Sequence, residues 1–312
     1  MRSAASTLLR TPDNSIFCYL QISRIDVLYC RTILSERWDN SVHIYAAFYY
    51  EKQIIMLKNT DILSNKLNSK ENNRIMNEVK IRKGCKDVWN AFMVEGATFS
   101  PNDIPFCPTT ATEFPHAIIT WEEAKAIYKK HRAKKDYDFA YDAFVCWYID
   151  DYKFDGLRGI WHDYNFALKV LCHFAGVITP DFSTYQDFPE PIKLYNTYRM
   201  RAYGYWLGKN GISVINNVRW GTAETYRYCF DGIPEYSIVA IGTCGGSPRK
   251  LIDRKRFENG LFELVKRSKP QTIVVYGSAN YPCFYKLKAN GIRIIAFPSQ
   301  AASAFEGRTL YE

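Results

Sequence analysis

Acidic and basic side chains recur in this sequence at the points where short apolar runs end. Asp150 and Asp151 follow one such run, Asp181 follows the next, and Arg219 ends a third. Neighbouring carboxylates can divide the roles of acid and base, and a guanidinium group binds phosphate oxygens in pairs. The combination indicates catalysis, by these four residues, on a substrate that carries phosphate. Because successive side chains of a strand point to opposite sides, at most one of Asp150 and Asp151 faces the same site as Asp181.

A second group of polar residues and glycines lies where it could contact such a substrate. Arg199 shares one face of a predicted helix with Asn196, and its guanidinium group is either a substrate ligand or half of an internal bridge to an aspartate. The glycine-rich segment 242–247 could surround an anion with backbone N–H groups, although it matches no nucleotide-binding fingerprint. The candidate substrate-binding residues are Asn196, Arg199, Asn217, Thr243, Gly245, Gly246, Tyr276 and Ser278.

The carboxylates also raise the question of a metal cofactor. Asp150 and Asp181 are candidate ligands of Mg²⁺ or Mn²⁺, because these cations prefer carboxylate oxygen. The alternative is that both groups cap turns and pair with lysine or arginine side chains. The sequence leaves these two alternatives open.

Helices and strands alternate along the second part of the chain and must position these residues. Thr120 and Glu123 have the spacing of a capping box, which predicts a helix that begins there. Apolar residues at helical spacing predict further helices at 161–174, 191–210, 254–266 and 281–289, with a short one after Gly221. Short apolar runs predict seven strands, at 91–94, 144–149, 176–179, 213–218, 237–241, 272–276 and 292–297.

This alternation predicts an α/β fold with a parallel sheet and helices packed against it. A closed barrel gathers every strand end around one mouth, whereas an open doubly wound sheet needs polar groups only at its switch point. At least five of the predicted strand ends are polar. We therefore expect a TIM-like (β/α) barrel, with the open doubly wound parallel sheet as the alternative. No eighth unit is visible, so the sequence leaves open whether the barrel is complete or incomplete.

Composition and charge restrict the classes of protein to which this chain can belong. The chain has 312 residues, 47% of them hydrophobic and 16% aromatic, which is typical of a globular protein. Of the net charge of +9, residues 1–83 contribute 13 Lys and Arg against 8 Asp and Glu. We predict that residues 1–83 are a poorly ordered or appended extension and that residues 84–312 form one α/β domain. Without a long apolar run or a signal peptide, we expect a cytoplasmic protein with no membrane partner.

Several motifs of the second half are similar to those of a known family. They are YIDDY at 148–152, TPDFS at 179–183, NTYR at 196–199, NNVRWG at 216–221, FDGIP at 230–234 and VYGS at 275–278. Over about residues 83–299 the chain resembles the bacterial and phage family called domain of unknown function 4417. The resemblance implies a bacterial or mobile-element setting and no established activity.

Residues and resemblance together predict a phage-associated or mobile-element-associated α/β protein that acts on a phosphate-bearing substrate. The expected partner is a nucleotide or nucleic acid, and the expected reaction class is that of a hydrolase or transferase, with a metal ion as an option. Two alternatives are a non-catalytic nucleic-acid-binding protein and a protein-interaction scaffold. The weakly basic charge of residues 84–312 gives nucleic-acid binding only modest support.

Overall fold

The computed structural model describes residues 83–243, 251–300 and 302, together with three two-residue strands, β1 (Leu9–Arg10), β2 (Ile16–Phe17) and β3 (Arg74–Ile75). The chain divides into two compact units, Met1–Lys70 and Glu71–Glu312. In the first unit, β1 and β2 pair in antiparallel fashion. The remainder of residues 1–82 lies outside the described residues, so the predicted extension and its boundary at residue 83 stay predictions.

A parallel sheet of seven strands forms the centre of the second unit. In chain order its strands are β5 (Ile118–Thr120), β6 (Tyr141–Cys146), β7 (Phe174–Ile178), β8 (Val214–Asn217), β9 (Ile238–Gly242), β10 (Thr272–Tyr276) and β11 (Arg293–Phe297). Neighbours in sequence are also neighbours in the sheet, from β5 at one edge to β11 at the other. A two-residue strand, β4 (Thr98–Phe99), pairs separately with β3.

The sequential strand order decides between the two predicted architectures. A doubly wound sheet reverses its strand order at a switch point, and this sheet has no reversal. It curls into a half-barrel. The α/β class is therefore confirmed, whereas closure into a complete TIM-like barrel is not, because the described part of the chain contains no pairing between β5 and β11.

Five α-helices occur among the described residues. They are α1 (Trp121–Ala133), α2 (Tyr164–Leu171), α3 (Glu190–Lys209), α4 (Leu251–Ser268) and α5 (Pro282–Ala289). The predicted capping box begins α1: Thr120 Oγ1 accepts from the backbone N–H of Glu123, and the Glu123 carboxylate accepts from the backbone N–H of Thr120. Pro191 lies in the first turn of α3, where its missing N–H costs no helical hydrogen bond.

Some predicted elements differ from the structure, and one strand of the sheet lies where none is predicted. Ala91–Val94 is a 3₁₀-helix: Ala91, Met93 and Val94 are buried in the core, no described strand pairs with the run, and the Asp87 carboxylate accepts from the backbone N–H of Ala91. The first strand of the sheet is instead β5, three residues directly before the capping box. The helix predicted over 161–174 is shorter, since Asp163 caps α2 at one end and β7 begins at Phe174.

The two faces of the sheet are filled differently. The helices cover one face with a large apolar core, and a smaller cluster fills the concave face, including Phe144, Ile178 and Val274. Gly204 lets α3 lie close to the end of β7, because a β-carbon at this position would overlap the side chain of Thr179. The close packing fixes the chain that follows β7 against α3, which is where the candidate site begins.

Candidate functional site

Three of the predicted residues meet at the carboxyl edge of the sheet. Asp181 follows β7, Asn217 ends β8, and Arg219 follows two residues later. Asp181 is buried; its Oδ1 accepts from Asn217 Nδ2 at 2.8 Å and its Oδ2 accepts from Arg219 Nη1 at 2.5 Å. Because β7 and β8 are parallel neighbours, their ends lie side by side, and this adjacency produces the cluster.

Tyr148 supports this cluster from the concave side of the sheet. Its hydroxyl donates to Asn217 Oδ1 at 2.9 Å, and its ring stacks on that of Tyr276 with 5.1 Å between centroids. Gly242 makes room, since a β-carbon there would lie 2.7 Å from the Tyr148 ring. Tyr276, predicted to bind substrate, is itself buried and accepts from the backbone N–H of Gln300. Sequence reasoning missed Tyr148 as a site residue, although it begins the YIDDY motif.

The structure separates the two adjacent aspartates. Asp151 accepts from the backbone N–H and the hydroxyl of Ser183, at 3.1 and 2.8 Å. Burial raises the pKa of Asp151 above its ordinary value despite these hydrogen bonds, and the nearby charge of Asp181 adds to the increase. Asp150 is exposed and lies 3.9 Å from Lys153 Nζ. Only Asp151 approaches Asp181, and a 3₁₀-helix that begins at Asp151, rather than strand alternation, selects it.

Arg219 presents its charge to a cleft of about 270 Å³. Burial acts to lower the pKa of Arg219, but the neighbouring Asp181 and Tyr185 outweigh it, so the pKa lies above its ordinary value. Within the described part of the chain, the guanidinium group makes one hydrogen bond, to Asp181. The walls of the cleft are residues 184–186 after β7, residues 218–222 after β8, Gly242, and Asp253, Arg256 and Phe257 of α4.

Arg199 and Asn196 have a different position. Arg199 forms a two-pronged ion pair with Asp155, with both contacts at 2.9 Å, and its guanidinium lies 3.8 Å from the centroid of the Phe182 ring. It also donates to Asn196 Oδ1, whose amide group donates to the carbonyl of Ser183. These contacts correspond to the internal bridge weighed as the alternative for Arg199. The pair holds the segment after β7 and does not line the cleft.

The remaining predicted residues lie at the ends of β9 and β10. Thr243 is buried, and its hydroxyl donates to the carbonyl of Ser278 at 3.0 Å, which ties the two strand ends together. The exposed Ser278 side chain accepts from the backbone N–H of Asn280. Gly245 and Gly246 lie outside the described residues.

The hydrogen-bond donors that surround Asp181 make its carboxylate unsuitable as a ligand for a divalent cation. Both carboxylate oxygens already accept from amide or guanidinium donors, and the charge of Arg219 lies in direct contact. The second candidate ligand, Asp150, faces solvent. Across residues 83–243 and 251–300, no group of three or more His, Cys, Asp or Glu side chains has an arrangement that could hold a metal ion. The arrangement suits an anion, because it presents guanidinium donors.

Fold and site together define an α/β half-barrel protein with a buried aspartate–arginine pair at the carboxyl edge of its sheet. The family described as domain of unknown function (DUF4417) matches residues 98–298, and the chain belongs to this family. The resemblance found in the sequence motifs is thereby confirmed. No solved structure matches the chain.

Two phage proteins are similar to part of the chain. It is 34% identical over 147 residues to the Gene 1 protein of Mycobacterium phage L5, and the aligned region covers 47% of this chain and 62% of that protein. It is 35% identical over 134 residues to the Gene 1 protein of Mycobacterium phage D29, covering 43% and 48%. The matched part is thus less than two thirds of either relative. These similarities confirm the predicted phage association. None of the described helices is long and apolar enough to cross a membrane.

Proposed function

We propose that the cleft beside Asp181 and Arg219 acts on a phosphate-bearing substrate, a nucleotide or a nucleic acid, in a hydrolase or transferase reaction. One observation carries this proposal. The Arg219 guanidinium lies in the wall of the cleft and, among the residues that the structure describes, uses one of its donors on protein, in the bond to Asp181. Its remaining donors have the fixed fork geometry that matches phosphate oxygens.

The surroundings of Arg219 support its use in stabilising negative charge. Asp181 fixes the guanidinium, Asn217 fixes Asp181, and Tyr148 fixes Asn217 through a continuous chain of hydrogen bonds. A donor that is held in place before the reaction need not reorganise as charge develops on the substrate. The chain of contacts therefore prepares Arg219 for a phosphoryl group with developing negative charge.

Asp151 and Asp181 supply two carboxyl groups with different surroundings. Asp181 forms a direct ion pair with Arg219, whereas Asp151 has no such partner in contact among the described residues and burial raises its pKa. Carboxyl groups whose environments differ in this way can divide the work of acid and base. Asp151 is not among the residues that line the cleft, but it is close enough to interact electrostatically with Asp181 and Arg219. We assign Asp151 as the group that exchanges a proton with the substrate or with an attacking water molecule, and Asp181 as the group that orients Arg219.

The adjacent aspartates provide a matched pair of variants for the test. Purified Asp151→Asn and Asp150→Asn proteins are incubated with nucleoside triphosphates and with short single-stranded DNA and RNA, and products are separated by chromatography. Loss of a general acid or base lowers the rate about 10²- to 10⁴-fold, so we expect that loss for Asp151→Asn alone. Equal rates in both variants, or no turnover of any of these compounds by the wild-type protein, would refute the proposal.

The non-catalytic alternative, a nucleic-acid-binding protein, gains support from Tyr185. Its ring is half exposed at the cleft, 5.5 Å from the Arg219 guanidinium, a combination that can bind a base without chemistry. Under this alternative the Asp151→Asn protein binds single strands as tightly as the wild-type protein and neither turns them over. The same incubations, followed by a binding measurement, therefore separate the two functions.

A further inference from the structure

Thr184, one of the residues that line the cleft, carries a buried hydroxyl. Thr184 is 3% exposed, and its Oγ1 has no hydrogen-bond partner in the described part of the protein. A buried hydroxyl without a partner opposes folding, because its bonds to water are lost and not replaced. A ligand in the cleft can supply the missing partner. The position of Thr184 beside Arg219 indicates that such a ligand carries acceptor oxygens.

The next residue, Tyr185, offers an aromatic surface at the same place. Half of Tyr185 is exposed, and the edge-on ring of Phe188, with 5.3 Å between centroids, holds it in position. The guanidinium of Arg219 lies 5.5 Å from the centre of the Tyr185 ring. An exposed ring beside a cation is the arrangement with which proteins stack nucleic-acid bases.

A second guanidinium comes from α4. Arg256 Nη1 donates to Gln186 Oε1 at 2.8 Å, so this side chain is anchored one residue away from Tyr185. Asp253 lies 3.9 Å from Arg256 and partly offsets its charge, as Asp181 offsets that of Arg219. Two arginines and two aspartates therefore leave the cleft without a large net charge. Stacking and directed hydrogen bonds, more than net charge, must hold a ligand here.

We infer that the cleft is a subsite for a single nucleotide unit, in which the base stacks on Tyr185 and the phosphate accepts from Arg219, Arg256 and the hydroxyl of Thr184. This inference rests on the proposed function and specifies its ligand. The volume of about 270 Å³ lies near the lower end of ligand pockets, about 300–1,000 Å³, and has room for one such unit. The unit belongs either to a free nucleotide or to a single strand.

Equilibrium binding to a fluorescein-labelled single-stranded (dT)12 probe tests the stacking residue. Tyr185→Ala is compared with Tyr285→Ala, which removes a similarly exposed ring (54% against 50%) from α5, outside the cleft. Stacking contributes about 1–3 kcal/mol per base, which corresponds to binding about 5- to 150-fold weaker for Tyr185→Ala. The Tyr285→Ala protein should bind within twofold of the wild-type protein. With one phosphate in the subsite, the slope of log affinity against log salt should be shallow, about −0.7.

Thr184→Val tests the phosphate side of the subsite. Because Oγ1 has no hydrogen-bond partner among the described residues, the change from hydroxyl to methyl removes no hydrogen bond seen in the structure, and the melting temperature should stay the same or rise. Competition by thymidine monophosphate should weaken about 2- to 10-fold in this variant, whereas competition by thymidine should not change. A drop in melting temperature, or an equal effect on both competitors, would show that Thr184 is a packing residue and overturn its assignment.

The outcomes distinguish the subsite from the proposed function. If Arg256→Ala weakens binding of the probe but Tyr185→Ala behaves like Tyr285→Ala, the cleft binds phosphate and the nucleotide subsite is refuted. If no phosphate-bearing probe binds the wild-type protein, the proposed function fails as well. Effective competition by the free monophosphate identifies a free nucleotide as the source of the unit. Binding of the labelled strand alone, with the same dependence on Tyr185, identifies a residue of a single strand.

Discussion

Exchanging the carboxyl and amide groups of Asp181 and Asn217 tests the hydrogen-bond chain that holds Arg219. Asp181 uses one oxygen for Asn217 and the other for Arg219, and Asn217 accepts from Tyr148 while it donates to Asp181. Asp181→Asn leaves one oxygen for two donors, so an amide NH₂ must face either Arg219 or Asn217. Asn217→Asp brings two carboxylates into contact. Each single change therefore damages the chain.

The double variant restores every donor to an acceptor. The new amide at position 181 accepts from Arg219 and donates to the new carboxylate at position 217, whose other oxygen accepts from Tyr148. Some losses remain. In the wild-type protein Asn217 Nδ2 also donates to the carbonyl of Pro180 at 3.3 Å and to Met200 Sδ at 3.7 Å. In the double variant Arg219 also meets a neutral amide oxygen in place of a carboxylate. The pattern of donors and acceptors thus predicts that the double variant recovers much, but not all, of the unfolding free energy that the single variants lose.

The magnitudes follow from burial. Removing one partner of a buried ion pair costs about 3–5 kcal/mol, and the 22% exposure of the Arg219 side chain reduces this to about 2–3 kcal/mol for Asp181→Asn. A buried unsatisfied group costs about 1–3 kcal/mol, which is the range expected for Asn217→Asp. We expect the double variant to lose only about 1–2 kcal/mol, so the coupling free energy is about 2–4 kcal/mol.

Urea unfolding of the four proteins at pH 7 measures this coupling. Equal slopes of unfolding free energy against urea concentration are required, so that the free energies refer to the same unfolding reaction. A double variant that loses the sum of the two single losses would show that the side chains act independently. The hydrogen-bond chain would then not be what positions Arg219.

Two further predictions concern α4 and the pH dependence of stability. Gly260→Ala should destabilise the protein by about 1–3 kcal/mol in urea unfolding, because the new methyl group would overlap the indole of Trp220; stabilisation, the usual effect of this change in a helix, would contradict the packing. Burial raises the pKa of Asp151 above its ordinary value of 3.8, so the folded protein binds this proton more tightly than the unfolded chain does. The contribution of Asp151 to stability should therefore fall as pH rises from 3.8 through the raised pKa, and Asp151→Asn should remove that fall. The measurement is the difference in unfolding free energy between the wild-type and Asp151→Asn proteins as a function of pH. A difference that is flat or rises with pH would contradict the raised pKa.

The elements with strong local signals are the ones that the sequence predicts well. The strand at 272–276 agrees with β10 at both ends, because an apolar β-branched run lies between polar residues and a Gly-Ser turn. The capping box at Thr120 depends on two side chains three residues apart, so it too is local. The run at 91–94 has the same apolar character but no neighbouring strand. Its 3₁₀ conformation depends on tertiary packing, which local spacing does not contain.

The candidate site shows the same division between local and distant information. Asp181, Asn217 and Arg219 converge because parallel neighbours end side by side, and the alternation of strands and helices is enough to predict that. The segment after β6, by contrast, turns into a 3₁₀-helix and brings Asp151 rather than Asp150 to the site. Arg256 reaches the cleft because α4 packs against the loop that contains Gln186, although the two residues lie 70 positions apart in sequence. No spacing in the sequence encodes that contact.

The cleft combines features that stability alone does not explain. A buried ion pair can often be replaced by apolar side chains with no loss, or with a gain of about 1–4 kcal/mol, so the pairing of Asp181 with Arg219 is weak evidence for a stabilising role. The Thr184 hydroxyl has no hydrogen-bond partner among the described residues, so it opposes folding, and the half-exposed ring of Tyr185 adds little to stability. All of these groups line one cleft at the carboxyl edge of the sheet. A ligand with acceptor oxygens and a flat ring would satisfy each of them, and a packing explanation would need a separate cause for every one.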